Sequence, residues 1–258
     1  MFKENGMVYT DDEMIIRMWD KENILDTMAR HAFYRGSGQR RREINELWVT
    51  KKDNRMTASM ANNIGFFVGL DEVARHYVVD YDEYMKANLQ RFREEAPEGQ
   101  FGEQDYGVGM MSFHVSNTPL VILAGDGRTA RYLGYDTGCQ AQGHPDDTCS
   151  GQHILSLELA ELIKEDGQWK IWHLVEEHDH CMEVGEAYAE KPILREKGNS
   201  VYEQVEFGDP TIKRDVYDPL YGWEYLYYDM PAAYYTYVES EGYGPNGKIG
   251  KLYYDRMV

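Results

Sequence analysis

Ile154-Leu155-Ser156-Leu157-Glu158-Leu159-Ala160-Glu161-Leu162-Ile163, followed by Lys164-Glu165-Asp166-Gly167-Gln168 and then Trp169-Lys170-Ile171-Trp172-His173-Leu174-Val175-Glu176, reads as two strands joined by a tight turn. Leu155, Leu157 and Leu159 recur every second residue, so they point one way from an extended chain. An Asp-Gly pair between two β-favouring runs is a strong hairpin signal, because the turn needs positive φ at its central residues. The same alternation puts Trp169, Ile171, His173 and Val175 on one face of the second strand. Upstream, Met111–Leu123 reads as a long strand, with Pro119 arguing for an edge position or a bulge. Ala124-Gly125-Asp126-Gly127 turns the chain, and Thr129–Tyr135 returns it. Gly138–Gly151, with Cys139, Pro145 and Cys149, reads as a long loop.

Helical patterning lies before this meander. Residues 1–20 are polar with scattered Met and aromatics, and read as an N-terminal arm. From Glu22 a helix begins, with Ile24, Leu25, Met28 and Ala32 on one face. Gly36-Ser37-Gly38 breaks it, and a short helix follows with Ile44, Leu47 and Trp48 as its stripe. Residues 56–68 read as a strand ending near Gly69. Asp71 starts a long helix whose stripe is Val73, Tyr77, Tyr81, Tyr84, Asn88 (or Leu89) and Phe92, ending before Pro97. Helices followed by a run of antiparallel strands place the chain in the α+β class.

The 258 residues carry 27 Lys and Arg against 45 Asp and Glu, a formal charge of −18. Such a surface disfavours bare nucleic acid, whose phosphates need a basic footprint. With 42% hydrophobic residues the chain can bury a core. No apolar run approaches the roughly 20 residues of a membrane helix. The N-terminus lacks a basic-then-apolar signal pattern. Cys139, Cys149 and Cys181 cannot all pair within one chain, which fits a reducing cytoplasm; a Cys139–Cys149 bridge is the alternative. Residues 188–258 hold 13 of the 21 tyrosines and show weak periodicity. They read as an irregular extension packed on the domain or on a neighbouring subunit, since tyrosine buries a ring and keeps a hydroxyl for a partner.

Five segments in order carry a resemblance: Glu46-Leu47-Trp48-Val49, Gly65 to Asp71, His114 to Pro119, Ala124 to Ala130, and Glu165 to His173. Together they resemble a SnoaL-like domain of the nuclear transport factor 2-like superfamily, over residues 21–187. The resemblance implies a cone: a curved, mostly antiparallel sheet wrapped around helices, enclosing one deep pocket. Members include polyketide cyclases, scytalone dehydratase and bile acid 7α-dehydratase, alongside others that only bind ligands. It implies acid–base chemistry by a strand histidine, helped by a tyrosine or aspartate near the end of the first helix, with no metal or organic cofactor. It also implies a homodimer or homotrimer.

His114 sits where the resemblance places the strand histidine. It alternates with Phe113 and Val115, so it points away from the helices if they point toward them. Tyr34 matches the helix tyrosine, and His31, three residues earlier, shares its helix face. The family acid near that tyrosine is missing, since no carboxylate follows Tyr34 until Glu43. His173 shares parity with apolar residues and is the auxiliary candidate. Trp48, Met56, Phe66, Phe67 and Tyr77 are the expected lining of the pocket. His173, His178, Asp179, His180 and Cys181 raise a zinc reading, but no HExxH or paired CxxC spacing accompanies them, and no metal is expected. No phosphate-binding glycine loop and no serine nucleophile elbow is present. Two readings follow. One is a cofactor-independent lyase or isomerase acting on a hydrophobic cyclic or aromatic small molecule. The other is a non-catalytic small-molecule-binding or oligomer-forming module.

Overall fold

The computed structural model describes residues 2–4, 6–62, 65–95, 98–143, 149–183, 209–213 and 230–254. Strands β1 (Phe2–Glu4) and β2 (Met7–Tyr9) form a small hairpin. Helix α1 then runs from Asp11 to Gly36. It therefore begins well inside the stretch read as an arm. Its start is set by a capping box, in which Thr10 Oγ1 accepts from the Glu13 amide and Glu13 accepts from the Thr10 amide at 2.7 Å. Periodicity hides this half of the helix because Ile15, Ile16, Met18 and Trp19 are all exposed. Its polar side makes the contacts instead. Arg17 donates to the carbonyls of Leu123 and Ala124, and Asp20 accepts from Lys164 and Trp169.

Helices α2 (Arg40–Leu47) and α3 (Lys52–Thr57) follow. Where one strand was expected, the chain makes a hairpin of β3 (Ser59–Asn62) and β4 (Gly65–Val68). Gly69, at φ +89°, turns into α4 (Leu70–Ala74), which continues through a π turn over Arg75–Asp80 into α5 (Tyr81–Glu95). The π turn shifts the phase of the stripe. Tyr77 and Val78 are buried before it ends, and Tyr84, Met85, Asn88, Leu89 and Phe92 after it.

Strands β5 (Met110–Leu123), β6 (Thr129–Gly143), β7 (Cys149–Glu165) and β8 (Gln168–Glu183) form the antiparallel meander. The expected loop at 138–151 is largely strand: β6 runs on to Gly143 and β7 starts at Cys149. The sheet order is β5-β6-β7-β8-β3-β4-β9, with β3 parallel to β8 and the two-residue β9 (Ile212–Lys213) on β4. The α+β expectation stands: helices pack on one side of a curved, mostly antiparallel sheet. The Asp166-Gly167 turn has both residues at positive φ, as its sequence requires.

Of three bulges in the described strands, one falls at Asp179, between the Leu155–His180 and Ser156–His178 pairs, and two bear on which side chains face the helices here. One lies at Thr118-Pro119, where Thr118 has φ +49° and the register with β6 shifts. The other inserts Trp172, because Ile171 pairs with Leu162 but His173 pairs with Glu161. Trp169, Ile171 and Leu174 consequently face the helices, in the main core with Ile24, Met28, Trp48 and Phe67. His173 and Val175 are displaced to the outer face, which overturns the expected parity of His173. Outside, Phe66, Leu157, Leu159 and Val175 cluster with Tyr243 and Ile249.

Residues 230–254 cover part of that outer face. The carbonyls of Tyr234 and Tyr235 accept from the Gly125 and Asp126 amides at 2.9 and 2.8 Å. A single-turn 3₁₀ helix (Glu239–Glu241) and α6 (Lys248–Tyr254) complete the segment. The rest of the tyrosine-rich stretch, 184–208 and 214–229, lies outside the described residues. Among the described helices none is long and apolar enough to cross a membrane.

Candidate functional site

Phe113 and Val115 are exposed, at 57% and 36%, so His114 points inward from β5 toward α1. Its Nδ1 lies 2.8 Å from Asp136 Oδ2 on the neighbouring β6. Arg35, from the last turns of α1, donates to the same oxygen at 3.1 Å and to Glu176 on β8 at 2.7 Å. His31 sits one turn earlier on α1. Its Nδ1 is 2.8 Å from Glu43 on α2, and its Nε2 is 3.3 Å from both Glu158 on β7 and Glu176. Tyr77 and Trp48 each donate to Glu43, at 2.8 and 3.2 Å. Ser116, two residues beyond His114, donates to Glu158 and lies 3.1 Å from the Tyr132 hydroxyl. Six elements, α1, α2, β5, β6, β7 and β8, thus converge on one buried polar cluster between the helices and the sheet.

Two glycines make room for it. An added Cβ at Gly138 would lie 2.2 Å from the Phe113 carbonyl and 3.2 Å from His114 Nδ1. One at Gly134 would lie 2.5 Å from the Tyr132 hydroxyl. Gly134, Asp136 and Gly138 share one face of β6, so the His114 and Tyr132 side chains lie beside the carboxylate from either side.

Burial without enough counter-charge shapes the titration of these groups. His114 is held below the ordinary imidazole range, by burial first and then by the Arg35 charge, against the pull of Asp136. Burial would raise Asp136, but the His114 hydrogen bond and Arg35 hold it low. His31 goes the other way: burial disfavours its charge, yet Glu43, Glu176 and Glu158 raise it well above the usual value. Glu158 is raised to about 6, chiefly by burial. The pair His114–Asp136 is therefore a neutral imidazole whose Nδ1–H is fixed on a carboxylate, with Nε2 as the acceptor, 3.4 Å from the Gln140 amide nitrogen. Arg35 Nε, Asp136 Oδ1 and Ser156 Oγ, all buried, make no hydrogen bond among the described residues. Buried polar atoms are usually paired, and a concentration of exceptions is a mark of function.

Of the residues singled out from sequence, His114 and His31 belong to this cluster, while Trp48 and Tyr77 border it through Glu43. Tyr34 does not join it, because its hydroxyl donates to Glu46 at 2.7 Å on the far side of α1. His173 lies on the outer face, 2.9 Å from Ser59 Oγ and against Trp172. Phe67 stacks on His76 in the main core, and Phe66 lies on the outer face. Met56 lines nothing, being 59% exposed on the last turn of α3. Asp136, Arg35, Glu43, Glu158 and Glu176 escaped sequence reasoning. Strand parity with Tyr132 and helical spacing from His31 were the signals for Asp136 and Arg35. Among the described residues no group of three or more His, Cys, Asp or Glu has metal-holding geometry, and the side chains of His178, Asp179, His180 and Cys181 lie outside them. Cys139 carries a free thiol.

No known family model matches the sequence, and no curated protein matches it. Solved structures are similar at low identity. A hexachlorocyclohexane dehydrochlorinase from Novosphingobium barchaimii is 12% identical over 68% of this chain and 97% of its own, with a TM-score of 0.44. A provisionally named scytalone dehydratase from Novosphingobium aromaticivorans is 11% identical over 73% of this chain and 100% of its own, at 0.45. A nuclear transport factor 2-like protein with a cystatin-like fold, also from Novosphingobium aromaticivorans, is 15% identical over 68% and 90%, at 0.44.

Proposed function

We propose that this protein is an acid–base lyase or isomerase that needs no metal or organic cofactor, acting on a hydrophobic cyclic or aromatic small molecule. The observation that carries this is the His114–Asp136 pair. A buried imidazole kept neutral, with one nitrogen fixed on a carboxylate, is poised to take a proton from carbon at its other nitrogen. Arg35 and the charged His31 stand nearby as fixed positive charge for a developing oxyanion. Tyr132, Tyr77 and Trp48, all almost fully buried, border the cluster with aromatic rings.

The test is a turnover screen of cyclic hydroxy-ketones, sterols and phenolics with the purified full chain, comparing wild type with His114→Gln. Turnover that falls about 100-fold or more in the variant is the expected result. Full activity in His114→Gln would remove the base. A second reading, a non-catalytic ligand-binding or assembly module, is favoured by one observation: the His114 side chain is only 1% exposed. Binding of a ring compound with no chemical change would support it. A cytoplasmic homodimer or homotrimer is part of the same proposal, and size measurement in solution tests the assembly.

A further inference from the structure

We propose that Ser116, backed by Glu158, is the proton-donating arm of the site, acting opposite the His114 base. This inference rests on the acid–base reading above. Ser116 follows His114 by two residues on the same face of β5, so the two side chains stand about 7 Å apart. That spacing lets each reach a different atom of one small molecule. The Ser116 hydroxyl lies between Glu158 and the Tyr132 hydroxyl at 3.1 Å; it donates to Glu158 when that group is a carboxylate and accepts from it when Glu158 carries a proton. Glu158 is 2% exposed and does not reach the solvent directly.

The charge count in the cluster explains why Glu158 can hold a proton. Among the described residues four carboxylates, Glu43, Asp136, Glu158 and Glu176, pair with two cations, His31 and Arg35. A buried excess of negative charge is relieved by protonation rather than sustained. The groups facing Glu158 are His31 and Arg35 on α1, Tyr132 and Asp136 on β6, and Glu176 on β8. Asp136 is held low by His114 and Arg35, whereas burial, aided by Glu176 and Asp136 and opposed by His31 and the Ser116 hydrogen bond, raises Glu158 to about 6. Environments that push two carboxylates apart separate the partner of a base from a donor.

The step balances for the loss of water from a substrate. His114 Nε2 takes a proton from carbon, and the C–H electron pair becomes the new double bond. The neighbouring C–O bond breaks with its pair on oxygen. That oxygen takes the Ser116 hydroxyl proton and leaves as water, and Ser116 takes the proton of Glu158. His114 then holds one proton more and Glu158 one fewer. Transfer through the released water restores both. Ser116 is the catalytic residue here and Glu158 a positioning residue that stores the proton.

The experiment compares Glu158→Gln, Ser116→Ala and His114→Gln in the full chain. Glu158→Gln keeps the shape and cannot supply an acid proton. The expected result is a kcat about 100-fold lower with KM little changed. Loss of the alkaline limb near pH 6 in the kcat–pH profile should accompany it. If Glu158→Gln does not fold, the same loss of kcat in Ser116→Ala carries the test. Wild-type kcat and an intact alkaline limb in Glu158→Gln, alongside an inactive His114→Gln, would overturn this inference alone. Full activity in His114→Gln would overturn the reading beneath it. A second arm needs no turnover. Infrared difference spectra of protein labelled with ¹³C-glutamate should show a protonated carboxyl band that disappears as pH rises through about 6 and is absent from Glu158→Gln. A wild-type spectrum without that band would also overturn the inference.

Discussion

On the outer face of the sheet, Glu161 has both oxygens engaged: one by Arg131 at 3.1 Å, the other by the Tyr243 amide at 2.9 Å and the Tyr237 hydroxyl at 3.2 Å. Arg131 in turn donates to the Glu241 carbonyl and lies over the Tyr234 ring. This is one acid, one base and a segment of chain folded over them. On the inner face, opposite, four carboxylates share His31 and Arg35, and several buried atoms there make no hydrogen bond among the described residues. A satisfied buried pair fixes structure, and here it pins residues 230–254 to the sheet. An unsatisfied cluster keeps capacity for a proton or a ligand. The same two-residue alternation along β7 builds both, with Glu158 facing in and Glu161 facing out across a single strand.

The largest expected effect is at Arg35 on the inner face. Replacing it with Met strands Asp136 and Glu176 without their buried counter-ion, and a loss of about 3–5 kcal/mol in urea unfolding is expected. A loss below about 1 kcal/mol would mean that the inner carboxylates are already neutral, and the contrast between faces would collapse. Next comes Glu161→Ala. It frees Arg131 and two contacts to residues 237 and 243, with an expected cost of about 1–3 kcal/mol. Hydrogen exchange in 230–254 should rise while exchange in α1 stays unchanged; faster exchange in α1 as well would show that the segment is part of the core and not a clamp upon it.

The smallest expected effect is on pH dependence, where the two faces carry opposite signs. His173, outside, is held near 3 by burial, below its unfolded value of about 6.5. Its contribution is therefore present above pH 6.5 and is lost as pH falls toward 3. His31, inside, has a raised pKa, so its contribution is full below the unfolded value and is lost as pH rises through the folded one. Unfolding measured between about pH 7 and pH 5 should show a flatter acid loss in His173→Asn than in wild type. An unchanged slope would place the acid sensitivity elsewhere, with His76, also held near 3, as the next candidate.

Much of the architecture could be read locally. The Asp166-Gly167 turn and the strands flanking it are short-range features, and so is the break after α1 at Gly36-Ser37-Gly38. The N-terminal half of α1 could not be read, because its contacts are made by Arg17 and Asp20 while its apolar residues face outward. The face of His173 could not be read either. Parity counts residues evenly, and the bulge at Trp172 adds one to the count. His114 was singled out through the resemblance, while its parity with Phe113 and Val115 left its face open until their exposure placed it inward. Its partner was not: Asp136 lies 22 residues away, joined only by strand pairing.

The sequence by itself therefore determined the class of fold and the antiparallel meander that follows the helices. Those depend on turn chemistry, capping and alternation, which act over a few residues. Tertiary structure alone decided the company His114 keeps, the buried excess of carboxylate beside it and the side of the sheet on which His173 falls. A proton's affinity for a side chain depends on distances between elements remote in sequence and on how much water is excluded, and neither is encoded in any one segment.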